Sequence, residues 1–268
     1  DLEFHSLEYD YSSGIEVASS YQFEDSSFGI DCEYAKFRAE VSDSFTTGSR
    51  GGGRFNTLEN EEHDDPGVKI VSGESRVDVG DWKVGTTYSL PLNEETDLTL
   101  GLGVQVASLD ASLKSGDSQN APNEFSEVNS YFDGWGPYLS SGISLSLSEE
   151  LNLNVGANAG VLLGTSKATI KDHDVDSGAA VNRPIEWRDS DQRTVPNYGF
   201  DIGLGYTTPV TDSLSLLIDG GYEFTNYVGG LNDSYSNMHD AEDGVNTGTS
   251  SDLTLAGWKV GVGFKYVF

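Results

Sequence analysis

Eight carboxylates, Glu8, Asp10, Glu16, Asp31, Glu33, Asp201, Asp219 and Glu223, fall at alternate positions in segments that read as strands. Lys259 and Lys265, with Lys83, are the cations of the same faces. Carboxylates repeated with period two line one side of a strand, and they concentrate cations in whatever space that side encloses. Paired with those lysines and with Asn152, Asn154 and Asn158, the same groups would instead fill a small interior. The residues alone leave both outcomes open.

Other chemistry-bearing residues point less far. His63 sits in Glu-Glu-His-Asp-Asp and His173 in Lys-Asp-His-Asp-Val-Asp, residue types that suit metal ligands or the acid/base pair of a protease. Both runs are acidic and loop-like, where a histidine is ordinarily solvated; His5 and His239 are the other two histidines. Gly116-Asp117-Ser118 lacks the strand-turn-helix elbow that a strained nucleophilic serine requires. No catalytic residue and no metal ligand is therefore expected, and the chain reads as a non-enzyme. The acidic runs 59–65, 172–176 and 240–243 lack the spacing and glycine placement of a calcium loop, so loose divalent binding is expected there and no cofactor. Cys32 is the single cysteine, which excludes an intrachain disulfide.

The elements that must hold these residues are long strands. Leu98, Leu100, Leu102, Val104 and Val106 oppose Thr99, Gly101, Gly103 and Gln105; Leu153, Val155, Ala157, Ala159, Val161 and Leu163 oppose a face of Asn and Gly. Tyr198 to Tyr206, Leu214 to Phe224 and Ala256 to Phe268 alternate in the same way, and Tyr131, Trp135, Leu139, Ile143, Leu145 and Leu147 complete the central set. Residues 7–23 hold one phase and read as one strand. Phase changes near Tyr34-Ala35 and near Gly80 predict bulges. Short connections (91–96, 148–150, 209–212) alternate with long polar ones (46–74, 111–130, 171–196, 229–251).

Composition agrees with strands that cross a membrane. Hydrophobic residues make up only 36% of 268, and no apolar run is long enough for a transmembrane helix. A barrel strand turns only alternate residues to lipid, and the 32 Gly, 13 Tyr and 12 Phe suit crowded lumen positions and membrane interfaces. The net charge of −29 repels nucleic acid and excludes it as a partner. No signal peptide precedes Asp1, so an exported protein would be in its processed form or lack more than the signal.

The closing strand, apolar at its even positions and ending on Phe268, resembles the C-terminal strand of bacterial outer-membrane β-barrels. That resemblance makes Phe268 the assembly signal read by the barrel-assembly machinery, and it puts the long connections outside the cell. Gly134-Trp135-Gly136-Pro137, Leu162-Leu163-Gly164, Tyr9-Asp10-Tyr11 before Gly14-Ile15-Glu16-Val17, Phe28-Gly29-Ile30 and Gly220-Gly221-Tyr222 fall in the order of the pore-forming major outer membrane protein family of Legionella, which the chain resembles from Leu7 to Phe268.

The resemblance implies an all-β fold: one antiparallel up-and-down transmembrane barrel of about nine to ten strands, with short periplasmic turns and four long acidic extracellular loops. It implies a pore for small cations or small polar solutes, lined by the eight carboxylates with Lys259 and Lys265. The alternative is a closed structural barrel that displays its loops for adhesion, envelope integrity or assembly with partner proteins. Outer-membrane lipid is the expected surrounding, with a homo-oligomer or a protein partner open. Nine strands are countable, and bacterial single-chain barrels carry even numbers. Either a turn divides Ser12-Ser13-Gly14 or a tenth strand belongs ahead of Asp1.

Overall fold

The computed structural model describes residues 3–5, 13–47, 53–55, 69–117, 125–173, 185–211, 214–233 and 249–266. They form eleven strands and no helix: β1 (Glu3–His5), β2 (Ser13–Gln22), β3 (Phe28–Thr47), β4 (Gly53–Phe55), β5 (Lys69–Asn93), β6 (Thr96–Asp117), β7 (Phe125–Ser146), β8 (Leu151–His173), β9 (Ile185–Thr211), β10 (Leu214–Asp233) and β11 (Thr249–Tyr266). β1 and β4 make a small parallel ladder, and the other nine form one antiparallel up-and-down sheet in chain order from β2 to β11. The sheet curls upon itself, for Tyr227 of β10 reaches Asp81 of β5 across the interior. Ser13 and Gly14 both lie within β2, so no turn falls between them.

On the outward face, Leu98 to Val106 spans nine residues and Leu153 to Leu163 eleven, the length of a strand tilted across a bilayer. Above that belt the pattern inverts. The register row Tyr34–Trp82–Val106–Trp135–Leu163 ends the apolar surface, and the next outward row reads Lys36–Gly80–Ser108–Asp133–Thr165. The row beyond is Arg38–Asp78–Asp110–Tyr131–Lys167. Over the same stretch the inward residues turn apolar: Phe37, Val79, Val77, Leu109, Phe132 and Leu162. Water surrounds this upper part of the wall, and its core lies inside, as in a soluble barrel.

This inversion corrects two expectations. The phase changes at Tyr34-Ala35 and Gly80 are not bulges, because pairing of β3 with β5 runs unshifted from Phe28↔Tyr88 to Thr47↔Lys69. What changes there is which face is greasy. The long connections are also shorter than read: β3 runs to Thr47, β6 to Asp117, β8 to His173 and β10 to Asp233, with the partner strands resuming at Lys69, Phe125, Ile185 and Thr249. Strands with polar residues outward look like loops to a pattern tuned for lipid. The irregularities that do occur lie at Leu214/Ser215, at Pro91/Asn93 and at Tyr227/Leu231, where Gly229 takes φ +64°.

The edges of the sheet decide its closure. Nine alternating strands leave β2 and β11 running the same way, and among the described residues they share no ladder. A side-chain contact bridges them instead: Lys259 Nζ lies 3.7 Å from Glu16.

Candidate functional site

The inward faces, taken from the short-turn end upward, form three layers. The lowest is lined by small and amide side chains such as Gly142, Asn152, Asn154 and Gly263; a Cβ placed on Gly142 or Gly263 would meet nothing nearer than 3.9 Å. There is room here.

The middle layer carries the charges. Lys83 Nζ is 2.7 Å from Glu33 and 3.7 Å from Asp81. Asp81 also accepts from Gln105 Nε2, at 2.8 and 3.0 Å, and from the Tyr227 hydroxyl at 3.1 Å. Asp81 and Gln105 are buried, so this desolvated carboxylate is stable because three donors converge on it. Tyr138 donates to Asp31 at 2.9 Å. On the other side, Lys259 sits between Glu16 and Glu223, at 3.7 and 3.5 Å, and all three side chains are 35% exposed, so they face open space.

The uppermost layer is apolar. Leu109, Phe132, Leu162 and Val195 are 0% exposed, and Tyr227 is 1% exposed. With Val77, Val79, Ala107 and Leu253 they form one cluster fed by every strand from β5 to β11, and Phe37 of β3 packs against it. This layer lies on the interior side of β5 to β11.

Of the residues expected to line a lumen, Glu16, Glu33, Glu223 and Lys259 come together here, and Lys83 joins them. Asp31 faces inward but is engaged by Tyr138. Asp201 and Asp219 lie flat over Gly156 and Gly261, where a Cβ would come within 2.1 and 2.4 Å of their carboxylates. Glu8, Asp10 and Phe268 lie outside the described residues. So do the side chains of Lys265 and of His5, His63, His173 and His239. Among the described residues no three His, Cys, Asp or Glu side chains are grouped to hold a metal ion. Asp81, Gln105, Tyr138 and Tyr227 were not singled out in the sequence. Asp81 follows the face inversion at Gly80, and Tyr227 is an aromatic on a face otherwise occupied by Asp219, Gly221, Glu223 and Thr225; these were the available signals.

Comparison with known proteins gives one family. A family model described as Legionella pneumophila major outer membrane protein precursor matches residues 1–268. Among solved structures the chain is similar to the outer membrane protease OmpT from Escherichia coli, at 13% identity and TM-score 0.39, over 90% of this chain and 84% of that one. No curated protein matches. The expectation of a non-enzyme is withdrawn: that solved barrel is a protease, and a likeness of this size assigns this chain neither an activity nor the lack of one. The family match places the protein in the bacterial outer membrane.

Proposed function

We propose that this chain, which belongs to the Legionella major outer membrane protein family over its whole length, is a structural barrel of the outer membrane whose lumen is sealed near the outer surface. The observation that carries the reading is the apolar layer: among the described residues, inward side chains of seven strands pack into one cluster in which Leu109, Phe132, Leu162 and Val195 are 0% exposed. An ion crossing it would lose its hydration without compensating ligands, a cost of many kcal/mol. The water-exposed upper wall then serves as a rigid pedestal for the segments that join β3 to β5, β6 to β7, β8 to β9 and β10 to β11. Rigid scaffolds that carry such segments commonly act through them, in adhesion, envelope integrity or assembly with a partner.

A second reading, a channel for small cations or small polar solutes, is favoured by one feature. Glu16, Glu33, Glu223 and Lys259 are partly exposed below the seal, with carboxylates in excess, which would enrich cations there. Planar-bilayer recordings in a KCl gradient separate the two. A sealed barrel gives no unitary steps; steps with a cation-selective reversal potential would replace the first reading by the second.

A further inference from the structure

Glu33, Lys83 and Gln105 lie in one inward register row across β3, β5 and β6. At one end the Glu33 side chain is 31% exposed, with Lys83 Nζ 2.7 Å from it. At the other end Gln105 is 1% exposed; its Nε2 donates to Asp81, and its Oε1 has no partner. Asn197 of β9 is 4% exposed, and its Nδ2 also has no partner. The two atoms converge over Gly160, the register partner of Asn197, where a Cβ would lie 2.9 Å from Gln105 Oε1 and 3.2 Å from Asn197 Nδ2. We propose that this row binds a small organic cation carrying an amide, its ammonium on Glu33 and its amide against Gln105 and Asn197.

The buried atoms select the amide. One is an acceptor and the other a donor, and a carboxamide answers both at once, donating to Gln105 Oε1 and accepting from Asn197 Nδ2. A metal ion cannot accept from Asn197, and among the described residues no three His, Cys, Asp or Glu side chains are grouped to hold one. The charge balance selects the cation. Lys83 and Lys259 are shared by four carboxylates, Glu33, Asp81, Glu16 and Glu223. Asp31, Asp201 and Asp219 face the same interior and make no ion pair among the described residues, so an added cation relieves their repulsion. Register sets the length, since two strand spacings separate Glu33 from Gln105, about 10 Å, the span of about five methylenes between ammonium and amide.

Calorimetric titration of the chain in micelles with 6-aminohexanamide, hexanamide and hexylamine reads the site. One 6-aminohexanamide per chain is expected to bind, at least tenfold more tightly than hexanamide, which lacks the ammonium, or hexylamine, which lacks the amide. Glu33→Gln is expected to weaken 6-aminohexanamide at least tenfold. Gly160→Ser offers its own hydroxyl to Gln105 and Asn197 and is expected to reduce 6-aminohexanamide to the affinity of hexylamine. Trp258→Ala, outward on the far edge strand, is expected to change nothing. Folding of each variant is checked by its heat-dependent electrophoretic mobility. Micelles leave both ends of the barrel open to solute, so the result does not depend on the apolar layer, whose sealing is read separately by bilayer recordings. No saturable binding by the unchanged chain overturns the proposal. Equal binding of hexylamine and 6-aminohexanamide also overturns it, since the carboxylates alone would then account for the attraction, as does Gly160→Ser binding like the unchanged chain.

Discussion

Tyr138 of β7 and Asp31 of β3 are hydrogen-bonded at 2.9 Å although two strands separate them, because their register row holds glycine at both intervening places. A Cβ on Gly103 would lie 2.6 Å from Tyr138 Cε1, and one on Gly85 would lie 2.6 Å from its hydroxyl. The phenol ring therefore lies along the inner wall over bare backbone. Removing the hydroxyl with Tyr138→Phe is expected to cost about 1–3 kcal/mol, since Asp31 Oδ1 already has no partner and the whole carboxylate would be left unsatisfied. Gly103→Ala should cost more, because its Cβ would also lie 2.3 Å from the Val84 carbonyl oxygen and 2.6 Å from Gly85 Cα, so backbone as well as the ring must shift. The urea midpoint in micelles measures both, and unchanged midpoints would show that the contact contributes nothing.

Phe132 is the largest apolar side chain of the seal that is fully buried, and Phe132→Ala should destabilise the barrel by about 3–5 kcal/mol through lost burial and an unfilled cavity. The same variant should show brief conductance events where the unchanged chain shows none. Destabilisation without any change in bilayer recordings would place the barrier to ions elsewhere.

Gly160 faces two buried amides. Its Cβ would lie 2.9 Å from Gln105 Oε1 and about as close to the Asn197 amide, whose Nδ2 lacks a partner, as does Gln105 Oε1. Gly160→Ala puts a methyl against these polar atoms and is expected to cost about 1–3 kcal/mol. Gly160→Ser supplies a hydroxyl to the same spot and should recover at least half of that loss. Equal thermal midpoints for the two variants would contradict this account.

Asp78 lies above the lipid belt between Arg38 Nε and Arg76 Nε, each at 2.5 Å. Burial alone would raise its pKa, but hydrogen bonds from both guanidinium groups outweigh it and hold the carboxyl below its ordinary value. A depressed folded-state pKa contributes stability that is present above the unfolded value, near 3.9, and is lost as pH falls through the folded one. Asp78→Asn should therefore lower the urea midpoint at pH 7 by the equivalent of roughly 1 kcal/mol or less, the arginines being exposed, and by nothing at the acid end. A pH-independent difference would refute this assignment.

Among the described residues β2 and β11 share no ladder. Because the two edges run in the same direction, one further strand running the opposite way would pair with both, and a second copy of this chain, whose edges also run together, offers none. Seam-facing amides of β2 and β11 should exchange with deuterium faster than those of β6 and β7, as unpaired groups do. Protection equal to that of β6 and β7 would mean that the seam is closed.

Much of this was legible in the residues. Alternation along β6, β8, β9 and β11 showed strands and a lipid face, since side-chain period two survives any arrangement of neighbours, and the direction of the chain was implied by the resemblance of its closing strand. Family membership also followed from the ordered motifs. The upper wall was not legible, for a strand with Ser108, Asp110 and Lys114 outward carries the same polarity as a loop until the burial of Leu109 on its other face is seen. Nor could Asp81 be ranked above Asp219, because a carboxylate becomes a structural hub only when donors arrive from β5, β6 and β10 together. Local chemistry fixed the faces of each strand; curvature, which no single strand encodes, decided which of them meet and whether the space between them stays open.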